Sequence, residues 1–140
     1  MMKVNFFYCI SLIALLCMVS CGNSKDLSQV DGVEWKLEQL DGQAINFSDT
    51  NNMIVIVFDV QEKRVNGRAV CNRYFGDYKV DGKNLKFSTV GATKMFCPEI
   101  EKEDKYFKMI ETTDSYKIDG EYLYFYAKDK EIAKFKEMAK

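Results

Sequence analysis

Polar and apolar residues alternate through much of this chain. In Glu34-Trp35-Lys36-Leu37-Glu38, preceded by Val33, the apolar side chains fall on one face and the charged ones on the other. That period of two predicts a strand with one buried side. Met53 to Val60 is apolar on both faces and predicts a central, covered strand, with Arg64 to Val70 as its hairpin partner. Asp-Gly pairs at 31–32, 41–42, 81–82 and 119–120, and the related Asn66-Gly67, tolerate positive φ and predict tight turns. Tyr78-Lys79-Val80-Asp81-Gly82-Lys83-Asn84-Leu85-Lys86-Phe87 is echoed by Tyr116-Lys117-Ile118-Asp119-Gly120-Glu121-Tyr122-Leu123-Tyr124-Phe125. Two copies do not make a repeat protein; they predict two similar hairpins. A last strand, Ile132 to Lys136, follows a turn at Asp129.

One segment breaks the pattern of two. From about Pro98 to Thr113 the apolar residues Ile100, Phe107 and Ile110, with Tyr106 beside them, recur at helical spacing. Pro98 suits the first helical position. Glu99, Glu101, Glu103 and Asp104 place negative charge where the helix dipole favours it. The predicted class is α+β: a strongly bent antiparallel sheet, or partly open β-barrel, with one helix over about residues 98–113.

The N-terminus is of another kind. Behind Lys3 runs an apolar stretch from Phe6 to Val19, broken only by Ser11 and ending in Leu16-Cys17-Met18-Val19-Ser20-Cys21. This is short of the ~20 residues that span a bilayer. A basic start, a short apolar core and a small residue before a cysteine resemble a bacterial lipoprotein leader; the competing reading is an uncleaved anchor helix. On the leader reading, residues 1–20 are removed and Cys21 carries lipid. Residues 21–29 form a polar tether, and 30–140 form one domain. Aspartate does not follow Cys21, so the outer membrane is the expected location, by analogy with enteric sorting signals. More than one acyl chain is required for stable attachment.

Composition narrows the chemistry. Against 21 acidic residues stand 20 basic ones, and loss of Lys3 leaves a net charge of −2, with no basic excess to attract nucleic acid. The chain has no histidine, which excludes Ser-His-Asp and Cys-His catalysis and histidine-ligated zinc. Asp59 and Glu62 are close in sequence but divided between a strand and a turn, and no phosphate-binding glycine loop occurs. Neither a cofactor nor a metal is expected, and catalysis is the weakest reading. Outside the leader and Cys21, Cys71 and Cys97 remain. In an exported protein an even pair favours a disulfide over two buried thiols.

Val65-Asn66-Gly67-Arg68-Ala69-Val70-Cys71-Asn72-Arg73-Tyr74-Phe75-Gly76-Asp77-Tyr78, then Thr93-Lys94-Met95-Phe96-Cys97, with Trp35-Lys36-Leu37 upstream, resemble the META domain of HslJ-like heat-shock lipoproteins. Trp35, Leu37, Gly67, Cys71, Asn72, Tyr74, Gly76, Tyr78, Thr93, Met95, Cys97, Leu123 and Phe125 occupy that family's motif positions, over roughly residues 30–137. Val70 replaces a usual glycine, and Phe96 a usually small residue. The resemblance implies a compact, non-catalytic envelope domain linked to stress. The motif residues also have structural readings. Asn72 can bond its own turn, and Gly76 can permit a bulge.

Two functions compete. The first is a monomeric interaction module that contacts envelope proteins through Tyr122, Tyr124 and Tyr126, unless those tyrosines are merely a cross-strand ladder. The second is a carrier holding a hydrophobic molecule inside the half-open barrel, supplied by Met53 to Phe58, Phe47, Phe75 and Met95. Against it stands a filled core, as small barrels usually have.

Overall fold

The computed structural model describes residues 24–139. The expected leader over 1–20 and the lipid-bearing Cys21 lie outside the described residues.

Among the described residues nine strands follow in order: β1 (Glu34–Leu40), β2 (Gln43–Ala44), β3 (Val55–Asp59), β4 (Arg64–Arg68), β5 (Arg73–Asp81), β6 (Asn84–Ala92), β7 (Ser115–Asp119), β8 (Tyr122–Ala127) and β9 (Lys130–Glu137). One helix, α1 (Ile100–Thr112), connects β6 to β7. Every strand pairing is antiparallel. Neighbours follow chain order from β3 to β9, and β1 joins β3 on one edge and β9 on the other. The result is a strongly bent sheet whose ends meet, with one helix, as the α+β reading expects.

The ring is weakest between β6 and β7. Their ladder is one pair, Asn84↔Ser115. It is flanked by hydrogen bonds from Leu85 N–H to the Asp114 carbonyl and from Tyr116 N–H to the Lys83 carbonyl, both 3.0 Å. Past Leu85 β6 faces no strand: the chain before Ser115 leads back into the end of α1.

Alternation places the core. Trp35 and Leu37 point in while Glu34 and Lys36 point out. On β5, Tyr74, Gly76 and Tyr78 are buried, and Arg73, Phe75, Asp77 and Lys79 are exposed. Ile54, Ile56 and Phe58 are buried at 0 % exposure. The outer face of β3 is only partly covered: Val55 is buried, but Val57 is half-exposed.

Trp35, Phe58, Tyr78, Phe125 and Phe135 fill the interior, each at 2 % exposure or less. The Phe58 and Tyr78 rings meet edge-on at 5.2 Å, and Phe125 and Phe135 lie 4.9 Å apart. Burying each such side chain contributes roughly 1.5–3 kcal/mol. A carrier needs a vacant interior. This one is occupied by side chains, and two residues expected to line it turn outward, Phe75 at 57 % and Met95 at 65 % exposure.

Three local expectations change. Leu27 to Val30 is not free tether. Leu27–Gln29 is a 3-10 turn held by a capping box, in which Ser28 N–H donates to the Asp26 carboxylate and Asp26 N–H to the Gln29 side chain. Leu27 and Val30 are each 1 % exposed, and the Tyr116 hydroxyl donates to Asp26 at 3.0 Å. Burial of these two side chains draws the segment into the core, so the domain starts before residue 30.

The helical stripe is also rotated from expectation. Glu103, Tyr106, Met109 and Ile110 are buried, while Ile100 and Phe107 are half-buried. Pro98 precedes the N-cap Glu99 instead of occupying the first turn.

Asn66-Gly67, finally, is not a turn but lies within β4. A Cβ on Gly67 would collide with the Val55 carbonyl oxygen and lie 2.7 Å from the Tyr74 hydroxyl oxygen. The glycine leaves room for Tyr74 to cross β4 and donate to that carbonyl at 3.0 Å.

The echoed hairpins do share one turn. Val80↔Leu85 and Asp81↔Asn84 match Ile118↔Leu123 and Asp119↔Tyr122, with Gly82 at φ 56° and Gly120 at φ 59°.

Gly67→Ala should therefore lower unfolding free energy by about 3 kcal/mol, as overpacking against backbone does. Gly82→Ala, with open space around it but positive φ, should lose about 1 kcal/mol. Urea denaturation of both variants checks this; equal losses would refute the close-approach account.

Candidate functional site

The two halves of the cysteine-bearing motif converge at the start of α1. Asn72 ends the connection from β4 to β5 and is 2 % exposed. Its amide nitrogen donates to the Met95 carbonyl at 2.9 Å and to Glu103 Oε1 at 2.6 Å. Its amide oxygen accepts from Thr93 Oγ1 at 2.8 Å and from Met95 N–H at 2.6 Å. A side-chain amide offers two donors and two lone pairs, so its capacity is filled. Asn72 thus bonds the Thr93–Met95 segment and the helix, not its own turn as expected.

Glu103, the second centre, is 3 % exposed. Its Oε2 accepts N–H groups from Cys71 at 2.9 Å and Asn72 at 3.1 Å. A charge-assisted acceptor inside the protein explains why a glutamate can occupy the helix's buried face. The sequence reading gave Glu103 only a helix-dipole role. Its position between Ile100 and Phe107 on the apolar stripe was the available signal. The Cys71–Cys97 disulfide joins the same segments covalently, with Cα atoms 6.0 Å apart, a normal bridging span.

A second clasp fixes the helix start. Glu99 accepts Ser48 N–H at 3.1 Å and Asn52 Nδ2 at 3.0 Å, and it pairs with Lys102, which also donates to the Asn46 carbonyl. Hydrogen bonds from Lys102 and then Asn52 hold the Glu99 carboxyl down at about 2. Deeper in, Tyr106 and Tyr74 share a hydroxyl contact of 2.5 Å. Tyr74 gives its proton to Val55, so Tyr106 is the donor. Burial raises the pKa of both phenols, and the neighbouring Tyr106 raises Tyr74 further.

These contacts make a clasp. Its carboxylate and amide are already engaged with backbone. What it presents is apolar: Met95 at 65 % and Phe96 at 84 % exposure, on a segment held by Asn72 and the disulfide. They border a concavity of about 390 Å³ that Ala92, Ile100, Asp104 and Phe107 also line.

Other motif residues lie elsewhere. Trp35 and Tyr78 are core residues whose indole N–H and hydroxyl have no partner among the described residues. Gly76 sits opposite a bulge, where its missing Cβ would approach Val90 at 3.1 Å. Tyr122, Tyr124 and Tyr126 lie half-buried on the outer face of β8, away from the clasp. Lys134 Nζ stands 4.1 Å from the Tyr122 ring centroid, and Tyr122 and Tyr124 centroids are 6.3 Å apart. Lysines of β9 thus share that face, a packed ladder with cation–π contacts. Among the described residues no group of three Cys, Asp or Glu could hold a metal ion.

The sequence profile of the META domain family matches residues 28–140. A search of curated proteins by sequence found no match. Among solved structures, the chain is similar to an NMR structure of a protein from Burkholderia xenovorans. The TM-score is 0.66 and the identity 23 %, covering 81 % of this chain and 87 % of that one. A second NMR structure has a TM-score of 0.61 and 21 % identity, with 77 % and 91 % coverage. At these identities the likeness concerns the fold.

Two outcomes follow for the clasps. Glu103→Gln keeps shape but removes an acceptor and sets an NH₂ against a donor, either the Asn72 amide NH₂ or the backbone N–H groups; it should lower stability by about 2–3 kcal/mol in urea titration. An unchanged midpoint would refute the role assigned to Glu103. Glu99 has a folded pKa below its ordinary value, so its stabilisation is complete above about pH 4.5 and is lost as pH falls toward 2. The stability gap between wild type and Glu99→Gln should therefore close over that interval. A gap constant from pH 5 to 2 would contradict it.

Proposed function

Since this chain belongs to the META domain family, we propose that it acts as a non-catalytic interaction module of the bacterial envelope's stress response, held to the membrane by lipid on Cys21. The observation that carries the reading is the exposed pair Met95-Phe96, fixed in place by the disulfide and by Asn72. A large apolar side chain held rigidly in solvent is unfavourable alone and favourable against a partner, because its burial is gained without ordering a flexible loop. The tyrosine face of β8 is the lesser surface, since its rings already pack with lysines.

Support for a non-catalytic role comes from the absence of histidine in the sequence and from the engagement of the clasp's polar groups. The leader-like residues before Cys21 support the envelope and lipid anchor, with the outer membrane as the proposed site.

A photo-crosslinking residue at position 96 should give discrete protein adducts in cells, whereas one at exposed Lys79 should not. Met95→Ser/Phe96→Ser should lose partner capture with melting unchanged, and Tyr122→Ser/Tyr124→Ser should keep it. Reversal of those two results would move the site to β8. Cys21→Ser should release the protein from membranes; persistence there would overturn the lipid anchor.

A further inference from the structure

Resting on the interaction-module reading, we propose that the seam between α1 and the free edge of β6 binds an extended, basic and apolar segment of another polypeptide, added as a strand to β6. The first support is backbone geometry. Leu85 directs its N–H away from β5, to the Asp114 carbonyl. Antiparallel alternation turns the N–H and C=O of Phe87, two residues on, to that same side. β7 begins only at Ser115, opposite Asn84, and the chain before it is the end of α1, so among the described residues this edge has no strand partner past Leu85. An unpaired edge is a template for strand addition.

The second support is the groove beside it. One concavity of about 340 Å³ lies between β6 and α1, lined by Phe87, Val90, Ala92, Phe107 and Ile110 among others. It shares Ala92 and Phe107 with the 390 Å³ concavity under Met95 and Phe96, so the two hollows adjoin along the helix, and together they are the channel the strand would follow. Its floor is apolar and half-buried at Val90, Ala92 and Phe107. Alternate side chains of an added strand would enter it while the others face water.

Charge selects the occupant. The solvent-exposed charges that α1 turns to the channel are the carboxylates Asp104 and Glu111, the latter 3.5 Å from Lys108 of its own helix. The third, Glu103, is buried and already receives backbone N–H groups. On the β6 side Ser88 and Thr89 are uncharged, and Lys94 stands at one end. A strand carrying Lys or Arg between apolar residues complements that rim; an acidic one does not.

The probe is an acetylated, amidated peptide of four Val-Lys repeats, titrated into the full chain in detergent. It should bind saturably and slow hydrogen exchange at Phe87 N–H. Asp104→Lys/Glu111→Lys, both on the exposed rim, should weaken binding about tenfold, a loss of ~1.4 kcal/mol, without changing melting. N-methylation at alternate peptide residues keeps the charge but removes backbone donors, and it should abolish protection. Equal binding of the N-methylated or a Val-Glu peptide would overturn strand addition. So would Phe87 protection that rises with protein concentration alone, which would mean a second copy, or protection by phosphatidylglycerol vesicles, which would mean lipid. Failure of the peptide while position 96 still crosslinks defeats this proposal alone. Failure of the position 96 crosslink with peptide binding intact defeats the Met95-Phe96 surface instead.

Discussion

The arrangement at the helix start depends on the side chain of Asn72. A buried amide is tolerable only when its donors and acceptors are met. Here they are met by the Thr93–Met95 segment and by Glu103, which lie 21 to 31 residues away in sequence. One side chain therefore fixes three segments relative to each other. The carboxylate of Glu103 in turn receives the N–H groups of Cys71 and Asn72, which the turn's own backbone leaves unpaired. Each buried polar group is the other's reason for being there. The disulfide adds a covalent limit on how far the same segments can separate, a constraint acting largely on the unfolded chain.

Below that clasp, the helix is tied to the sheet through a second chain of contacts. Gly67 has no side chain, so Tyr74 can lean across β4 to Val55. Tyr106 then reaches Tyr74 from α1. A missing methyl on one strand thus decides where a helix docks. Because α1 is held at this end, it stands beside β6 past Leu85 with a hollow between them and adds no strand to that edge. The ring is consequently filled in its core and least paired along one seam, and Met95 and Phe96 border the hollow that adjoins it at the helix start.

Periodicity of two revealed the strands because their buried face is a property of neighbouring residues. Trp35 and Leu37 point in because Glu34 and Lys36 cannot. The twin hairpins were equally readable, since a glycine at the first loop position fixes the turn locally. Local composition misled where distant partners intervene. Asn66-Gly67 has the composition of a turn, yet its glycine answers to Tyr74 and Val55. Leu27 and Val30 look like tether because their burial depends on the sheet. Met95 and Phe75 read as core from hydrophobicity alone, but their backbone register turns them outward.

By itself the sequence determined the strand pattern, the helix between β6 and β7, the cysteine pair and the family. These follow from local spacing, composition and motif. Only the tertiary structure decided that Asn72 and Glu103 are mutual partners, that Phe96 is exposed and that, among the described residues, β6 has no strand partner past Leu85. Those outcomes depend on which segments meet after the sheet has curled, and no window of sequence contains both sides of such a contact.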